Sequence, residues 1–233
     1  DLGIIDWIPT CYENKLFQIG ENNRMSDGFN LSGHIRAYGL WEQLPANLTF
    51  TAGVSNEKTD WYYAQGKNGT WTVKFNCPQT YSGNAHLTIS AAGVTTSPKL
   101  AIAVNGSTVA NWAPSPNDAA IYRSAVLGGR HRLYTITFPA SKLKKGENTL
   151  ALKMSGIGKN GGIMYDCIKL ETGNAVVNSI IQPSASDNQP IEIYTLNGMR
   201  MGKFITISEA QPSLPRGIYI FRQGAKTGKF VKQ

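Results

Sequence analysis

The sequence predicts an all-β chain: an antiparallel sandwich over most of its length, then a small second β unit. The first observation behind this is period-two alternation of apolar and polar residues, in runs of strand length bounded by turn residues. The second is the lack of any long segment with helical apolar spacing. The third is length, since 233 residues are enough for one sandwich and a small additional unit.

The runs follow in order. Trp71, Val73 and Phe75 alternate with Thr72, Lys74 and Asn76. Leu87 and Ile89 alternate with His86, Thr88 and Ser90, which places His86 on a solvated polar face. Leu100, Ile102 and Val104 lead to the turn Asn105-Gly106, a hairpin signal. Tyr134, Ile136 and Phe138 stop at Pro139, and Leu150, Leu152 and Met154 follow the polar turn SKLKKGENTL. Half-buried strands at this spacing belong to a sandwich. After Glu171 the texture becomes polar. The expected organisation is a sandwich domain over residues 1–172 with an N-terminal lead-in (residues 1–14 facing a preceding domain), a linker over 173–189, and a small β domain over 190–233. Ile191–Phe204 predicts a hairpin turning at Asn197-Gly198, and Leu214–Gln233 a second one.

The formal charge is +8 and the isoelectric point about 9.4. Such a chain attracts polyanions. No nucleic-acid motif or dense basic helix accompanies the charge, so no nucleic-acid partner is expected. No apolar run approaches the roughly 18 residues of a membrane helix, so no membrane span is expected. No signal peptide opens the chain, and Asp1 reads as a mature or trimmed start. Cys11, Cys77 and Cys167 have no metal-site spacing and are expected to be buried small residues without a disulfide framework. Asn30, Asn47, Asn68 and Asn105 each begin an N-x-S/T tripeptide, a pattern frequent by chance.

Three segments, KLFQIGENN (15–23), RAYGLWEQLPANLTFTAGVSNEKTDWYYAQ (36–65) and GGIMYDCIKLE (161–171), resemble the carbohydrate-binding-like C-terminal domain of rhamnogalacturonan lyases, polysaccharide lyase family four. The resemblance covers about Asp6 to Glu171 and implies a jelly-roll, galactose-binding-like sandwich. The polar turn with K-x-G-x-N-x-L, together with VNG upstream, is also common in jelly-roll carbohydrate-binding modules. In the resembled lyases the catalytic residues lie in a preceding domain that no segment here matches, so no catalytic residue is carried over. In the tail, IYTLNG, LPRGIYIF and GKFVKQ resemble the C-terminal sorting domain of the Bacteroidetes type nine secretion system.

Sugar binding needs aromatic faces for pyranose rings and planar donors for hydroxyls and carboxylates. The aromatics to consider are Trp7, Trp41, Trp61, Tyr62, Tyr63, Trp112 and Tyr122. Trp41 and Trp61 lie in the family-like motif, and packing is their expected role. Trp112 lies in the Pro-rich ANWAPSPND, where an exposed loop position is expected. Arg123, Arg130, His131 and Arg132 form the densest basic cluster, suited to bidentate carboxylate recognition, although an ordinary solvated loop would look the same. The candidate carbohydrate-binding residues are therefore Trp112, Tyr122, Arg123, Arg130, His131 and Arg132. His34 falls in a loop. No Ser-His-Asp or Cys-His order is defined by sequence.

Asp166 shares alternation phase with Ile168 and Leu170 and so is expected to point inward, paired with an Arg or a backbone amide. A structural calcium would need six to eight oxygens, a set the sequence does not assemble. No cofactor is expected. The expected function is non-catalytic binding of an acidic plant cell-wall polysaccharide, pectin or rhamnogalacturonan, by a secreted or cell-surface bacterial protein, with a preceding catalytic domain as a possible partner. The alternative is a cell-surface structural or adhesive protein that reuses the module without binding sugar.

Overall fold

The alternating runs become two facing sheets. A computed structural model describes residues 10–33, 38–115, 118–123, 128–176, 190–205, 207–223 and 226–232. The chain divides into two compact units, residues 1–175 and 176–233.

The larger unit contains β1 (Cys11–Gly20), β2 (Leu48–Thr51), α1 (Glu57–Asp60), β3 (Ala64–Gln65), β4 (Gly69–Cys77), β5 (Asn84–Thr95), β6 (Lys99–Val104), β7 (Ser107–Trp112), β8 (Arg132–Pro139), β9 (Gly146–Ser155) and β10 (Gly162–Val176). One sheet has the order β1-β10-β5-β8, with the short β3 also paired to β10; the other has the order β2-β4-β9-β6-β7. Pairing is antiparallel along β4, β9, β6 and β7 and between β5 and both of its neighbours, whereas β2 runs parallel to β4. This is an all-β jelly-roll sandwich.

Trp71, Val73, Phe75, Leu100, Ile102, Leu150, Leu152 and Met154 face Leu87, Ile89, Ile136, Phe138, Ile168 and Leu170 across the core, all buried. Each contributes on the order of 1.5–3 kcal/mol through burial. Trp61 is fully buried, edge-on to Trp71 at 4.9 Å and to Phe50 at 5.6 Å, which bears out its packing role. Asn105 and Gly106 both have positive φ, 49° and 81°, as a two-residue hairpin turn requires.

All four N-x-S/T asparagines hold backbone. Asn30 donates to Thr59 O, Asn47 accepts from Thr70 N, Asn68 accepts from Ile157 N, and Asn105 donates to Lys142 O and accepts from Thr149 N. Their side chains are loop and turn fasteners.

Several expectations need correction. His86 is buried, not solvated: its ring stacks on Tyr12 at 3.6 Å and 3°. Almost the whole of β5 is buried on both faces, so period two fails to mark the side away from the core. Cys77 and Cys167 are buried free thiols, but Cys11 is only half-buried, on β1. Asp166 is buried, yet not in the sandwich core. A bulge between Tyr165 and Cys167 breaks the alternation and turns Asp166 to the face that carries Ser90. Finally, β1 begins at Cys11 and β10 continues to Val176, so residues 11–14 and 173–176 are sheet rather than lead-in and linker. Trp7, His34 and residues 177–189 lie outside the described residues.

The smaller unit is a four-stranded sheet of β11 (Ile191–Thr195), β12 (Arg200–Phe204), β13 (Gly217–Gln223) and β14 (Lys226–Lys232), in the order β12-β11-β13-β14. Both predicted hairpins form. Gly198, at φ 80°, donates its N–H to Thr195 O in the first turn. Ile191, Ile193, Ala210, Leu214, Tyr219 and Phe221 make its core.

Candidate functional site

The strand register gathers one set of loops. Gly162 lies opposite Thr95, Ala91 opposite Arg132, Leu100 opposite Trp112 and Lys99 opposite Ser155. The start of β8 and β10 and the ends of β5, β7 and β9 therefore share one end of the sandwich. The segments holding Leu44, Ile121 and Gly161 converge there around Gly66.

Two tyrosines stand out at this end. Tyr38 is 63% exposed and Tyr122 47%, and their rings lie 5.8 Å apart, tilted by 55°. Arg123 beside them is exposed. Trp41 is half-buried, and Lys159 Nζ lies 5.9 Å from its ring centroid, a cation–π contact. Open aromatic faces beside cationic donors can accept a pyranose ring that carries a carboxylate.

Trp112 departs from its expected loop position. It is the last residue of β7, paired opposite Leu100, and is half-buried. Its ring stacks on Tyr134 of β8 at 5.0 Å and 12°. The stack links the edge strands of the two sheets, so one face of the indole is committed to packing.

Asp118 fixes the loop that carries the basic cluster. Its carboxylate accepts N–H groups from Val94, Ala120 and Arg130 and the hydroxyl of Thr95. Gly93 and Gly129 both lie against it, where a Cβ would crowd its oxygens. With its backbone anchored, Arg130 leaves its side chain exposed. Arg132 is half-buried and donates from Nη1 to His131 O.

His131 belongs to a buried chain. Its Nε2 is 2.8 Å from Ser90 Oγ, and Ser90 donates to Asp166. Asp166 also accepts backbone N–H bonds from Asn23, Arg24 and Met25, so the expected backbone-amide pairing is present. Desolvation nevertheless holds the Asp166 carboxyl above its ordinary pKa, against those bonds. Burial, then the charges of Arg24 and Arg132, pushes His131 below the usual histidine value. The residue types are those of a nucleophilic triad, but the order differs. In the triad the histidine lies between serine and carboxylate, whereas here Ser90 lies between His131 and Asp166, whose Nε2 and Oδ2 are 4.0 Å apart. The chain of contacts joins His131 to β5 and to the 23–25 loop.

Of the sequence-derived candidates, Tyr122 and Arg123 lie together with exposed side chains, Arg130 is exposed, and Trp112, His131 and Arg132 are drawn into packing. Tyr38 was missed because one tyrosine in a Gly-rich loop carries no periodic signal, and only the fold sets it against Tyr122.

Comparison with known proteins places the larger unit in a family. The model of the family described as CBM-like, polysaccharide lyase family 4, domain III, matches residues 15–170. A rhamnogalacturonate lyase of Dickeya dadantii (strain 3937) is 38% identical over 161 residues, which are 65% of this chain and 27% of that protein. The chain therefore matches about a quarter of that relative's length. Among solved structures, a family 35 carbohydrate binding module from an environmental isolate aligns over 73% of this chain and 96% of its own, at 15% identity and TM-score 0.34. The CBM35 from Cellvibrio japonicus Abf62 aligns over 70% and 90%, at 16% identity and TM-score 0.32. From the extent of the family match, this chain belongs to the CBM-like domain III family of polysaccharide lyase family 4.

Proposed function

We propose that this chain is a non-catalytic module that binds an acidic plant cell-wall polysaccharide, of the pectin or rhamnogalacturonan class, as the accessory part or a relative of a secreted polysaccharide lyase. The observation that carries this reading is the exposed Tyr38–Tyr122 pair beside Arg123 at the loop end of the sandwich. Arg130 extends the cationic side of the site with its exposed side chain, and the half-buried Trp112, His131 and Arg132 adjoin it at the same strand ends. The positive formal charge favours a polyanionic ligand. The family and the rhamnogalacturonate lyase relative support the choice of glycan.

The smaller β unit is proposed to be a sorting domain that directs export to the cell surface of a Bacteroidetes host, on the strength of IYTLNG, LPRGIYIF and GKFVKQ. Catalysis is assigned to a separate domain, and the chain alone is expected to release no unsaturated uronates from rhamnogalacturonan or polygalacturonate, followed by ultraviolet absorbance. Sustained product formation would overturn the accessory role.

The binding test is a titration of pectic oligosaccharides into wild type, Tyr122→Ala, Trp112→Ala and Arg132→Ala. A shallow face predicts a dissociation constant on the order of micromolar to millimolar. Weakening in Tyr122→Ala with unchanged thermal stability supports the site. Equal binding by all variants removes this face, and no binding by wild type favours the structural or adhesive alternative.

A further inference from the structure

The face of the β1-β10-β5-β8 sheet that points away from the core holds features that core packing does not explain. Along β5 it carries His86, Thr88 and Ser90; along β10 it carries Cys167, Lys169 and Glu171. All six are buried. Between these ladders and β1 lies a cleft of about 250 Å³, walled by Cys11, Gln18, Thr88, Cys167 and Lys169 among others.

The cleft has unmet polar demand. Thr88 is only 2% exposed and its hydroxyl has no hydrogen-bond partner among the described residues. A buried hydroxyl left unbonded is destabilising, and a ligand hydroxyl would relieve it. Lys169 Nζ is ion-paired with Glu171 Oε2 at 2.9 Å and donates to Cys11 Sγ at 3.4 Å. An ammonium has three donors, more than these two contacts can use.

The charge balance narrows the ligand. Glu171 cancels the charge of Lys169 within the wall, so a carboxylate gains little here over water. Hydroxyl groups, which both donate and accept, match the Thr88 hydroxyl and the third Lys169 donor. The Gln18 amide already donates to Gly20 O and accepts from Lys15 Nζ, and keeps one further N–H and one further lone pair. Cys11 and Cys167 supply apolar surface; burial, then the charge of Asp166, pushes the Cys167 thiol up to about 12, so it stays protonated. The volume lies below that of drug-sized pockets, a size suited to a single sugar ring.

We propose that this cleft is a second sugar subsite, distinct from the loop-end site, that takes one neutral monosaccharide unit. The polar line continues past it. Beyond the Tyr12–His86 stack, a larger cleft of about 490 Å³ is lined by Glu13, Ser82, Asn84 and Asn174. A chain of sugars could therefore run along the strands with one unit seated at Thr88.

The test uses the full chain and two probes, methyl rhamnoside and methyl galactoside, with sodium galacturonate as the charged control. Binding is followed by ligand-observed NMR and by the rate at which iodoacetamide alkylates Cys11, the half-buried thiol of the cleft. A neutral glycoside is expected to slow Cys11 alkylation in a manner insensitive to salt, while galacturonate does not. Thr88→Val keeps the side-chain shape but removes the hydroxyl, and is expected to weaken binding about tenfold, the effect of one lost hydrogen bond. Gln18→Ala should weaken it independently, which keeps the test decisive if Thr88→Val fails to fold. Tyr122→Ala should leave this binding unchanged, separating its outcome from that of the loop-end site. Unaltered Cys11 alkylation with both glycosides, or full binding by folded Thr88→Val and Gln18→Ala, would overturn the proposal.

Discussion

Ser90 Oγ lies 2.5 Å from Asp166 Oδ2, and this contact joins β5 to the bulge of β10. A hydroxyl that donates to a carboxylate makes a charge-assisted hydrogen bond. Three backbone amides of the 23–25 loop complete the carboxylate's shell. The pair therefore ties the 23–25 loop to the two central strands of the sheet. Ser90→Ala would leave a buried carboxylate one donor short. It is expected to destabilise the sandwich by roughly 1.5–3 kcal/mol, read as a lower urea midpoint, because bonds to charged groups lie in that range. An unchanged midpoint would show that the amides alone satisfy Asp166.

Asp118 makes a second prediction. It accepts four hydrogen bonds from three segments, including the N–H of Arg130. Asp118→Ala is expected to cost roughly 2–4 kcal/mol and to raise hydrogen exchange at Val94, Ala120 and Arg130. Asp118→Asn should recover part of the loss, since one amide oxygen still accepts. Exchange unchanged at those three amides would mean that the loop is held by other contacts.

The histidines set a pH dependence. Burial lowers His86 and His131 from the ordinary value of about 6.5. Below that pH the unfolded chain takes up protons before the folded one. Stability is therefore full above about pH 6.5 and is lost as pH falls through the lowered folded values. Asp166 has the opposite sign: its raised carboxyl takes up a proton in the folded chain first, offsetting part of the loss. The urea midpoint should be lower at pH 5.5 than at pH 7.5, and the difference should shrink in His131→Gln, which keeps a donor for Ser90. A midpoint that rises toward pH 5.5 would show that Asp166 dominates.

Salt provides a further check on the loop-end site. If Arg123, Arg130 and Arg132 meet uronate carboxylates, binding of pectic oligosaccharides should weaken as salt is raised, because exposed charges are screened beyond about 10 Å at 0.1 M. Salt-independent binding would point to stacking on Tyr38 and Tyr122 alone.

Among the described residues the two hydrophobic cores share none: the larger runs from Phe17 to Leu170 and the smaller from Ile191 to Phe221. Truncation after Ala175 should therefore leave a cooperatively unfolding sandwich. Loss of cooperative unfolding would mean that the larger unit depends on the smaller.

The sequence by itself determined the strands whose alternation faces a core. Trp71-Val73-Phe75 and Leu150-Leu152-Met154 could be read directly because a pleated strand sends every second side chain inward. It also determined the local turns, Asn105-Gly106 and Asn197-Gly198, whose backbone angles depend only on their own residues. Tertiary structure alone decided the rest. It buried His86 under Tyr12, because covering of a sheet's second face is a long-range contact with no periodic trace. It turned Asp166 toward Ser90, because one inserted residue at a bulge reverses every alternation inferred across it. It moved Trp112 from a loop into an edge stack, and it brought Tyr38 to Tyr122 across more than eighty residues of chain. Alternation reports only which face a side chain takes on its own strand, whereas a binding site depends on which strands and loops become neighbours.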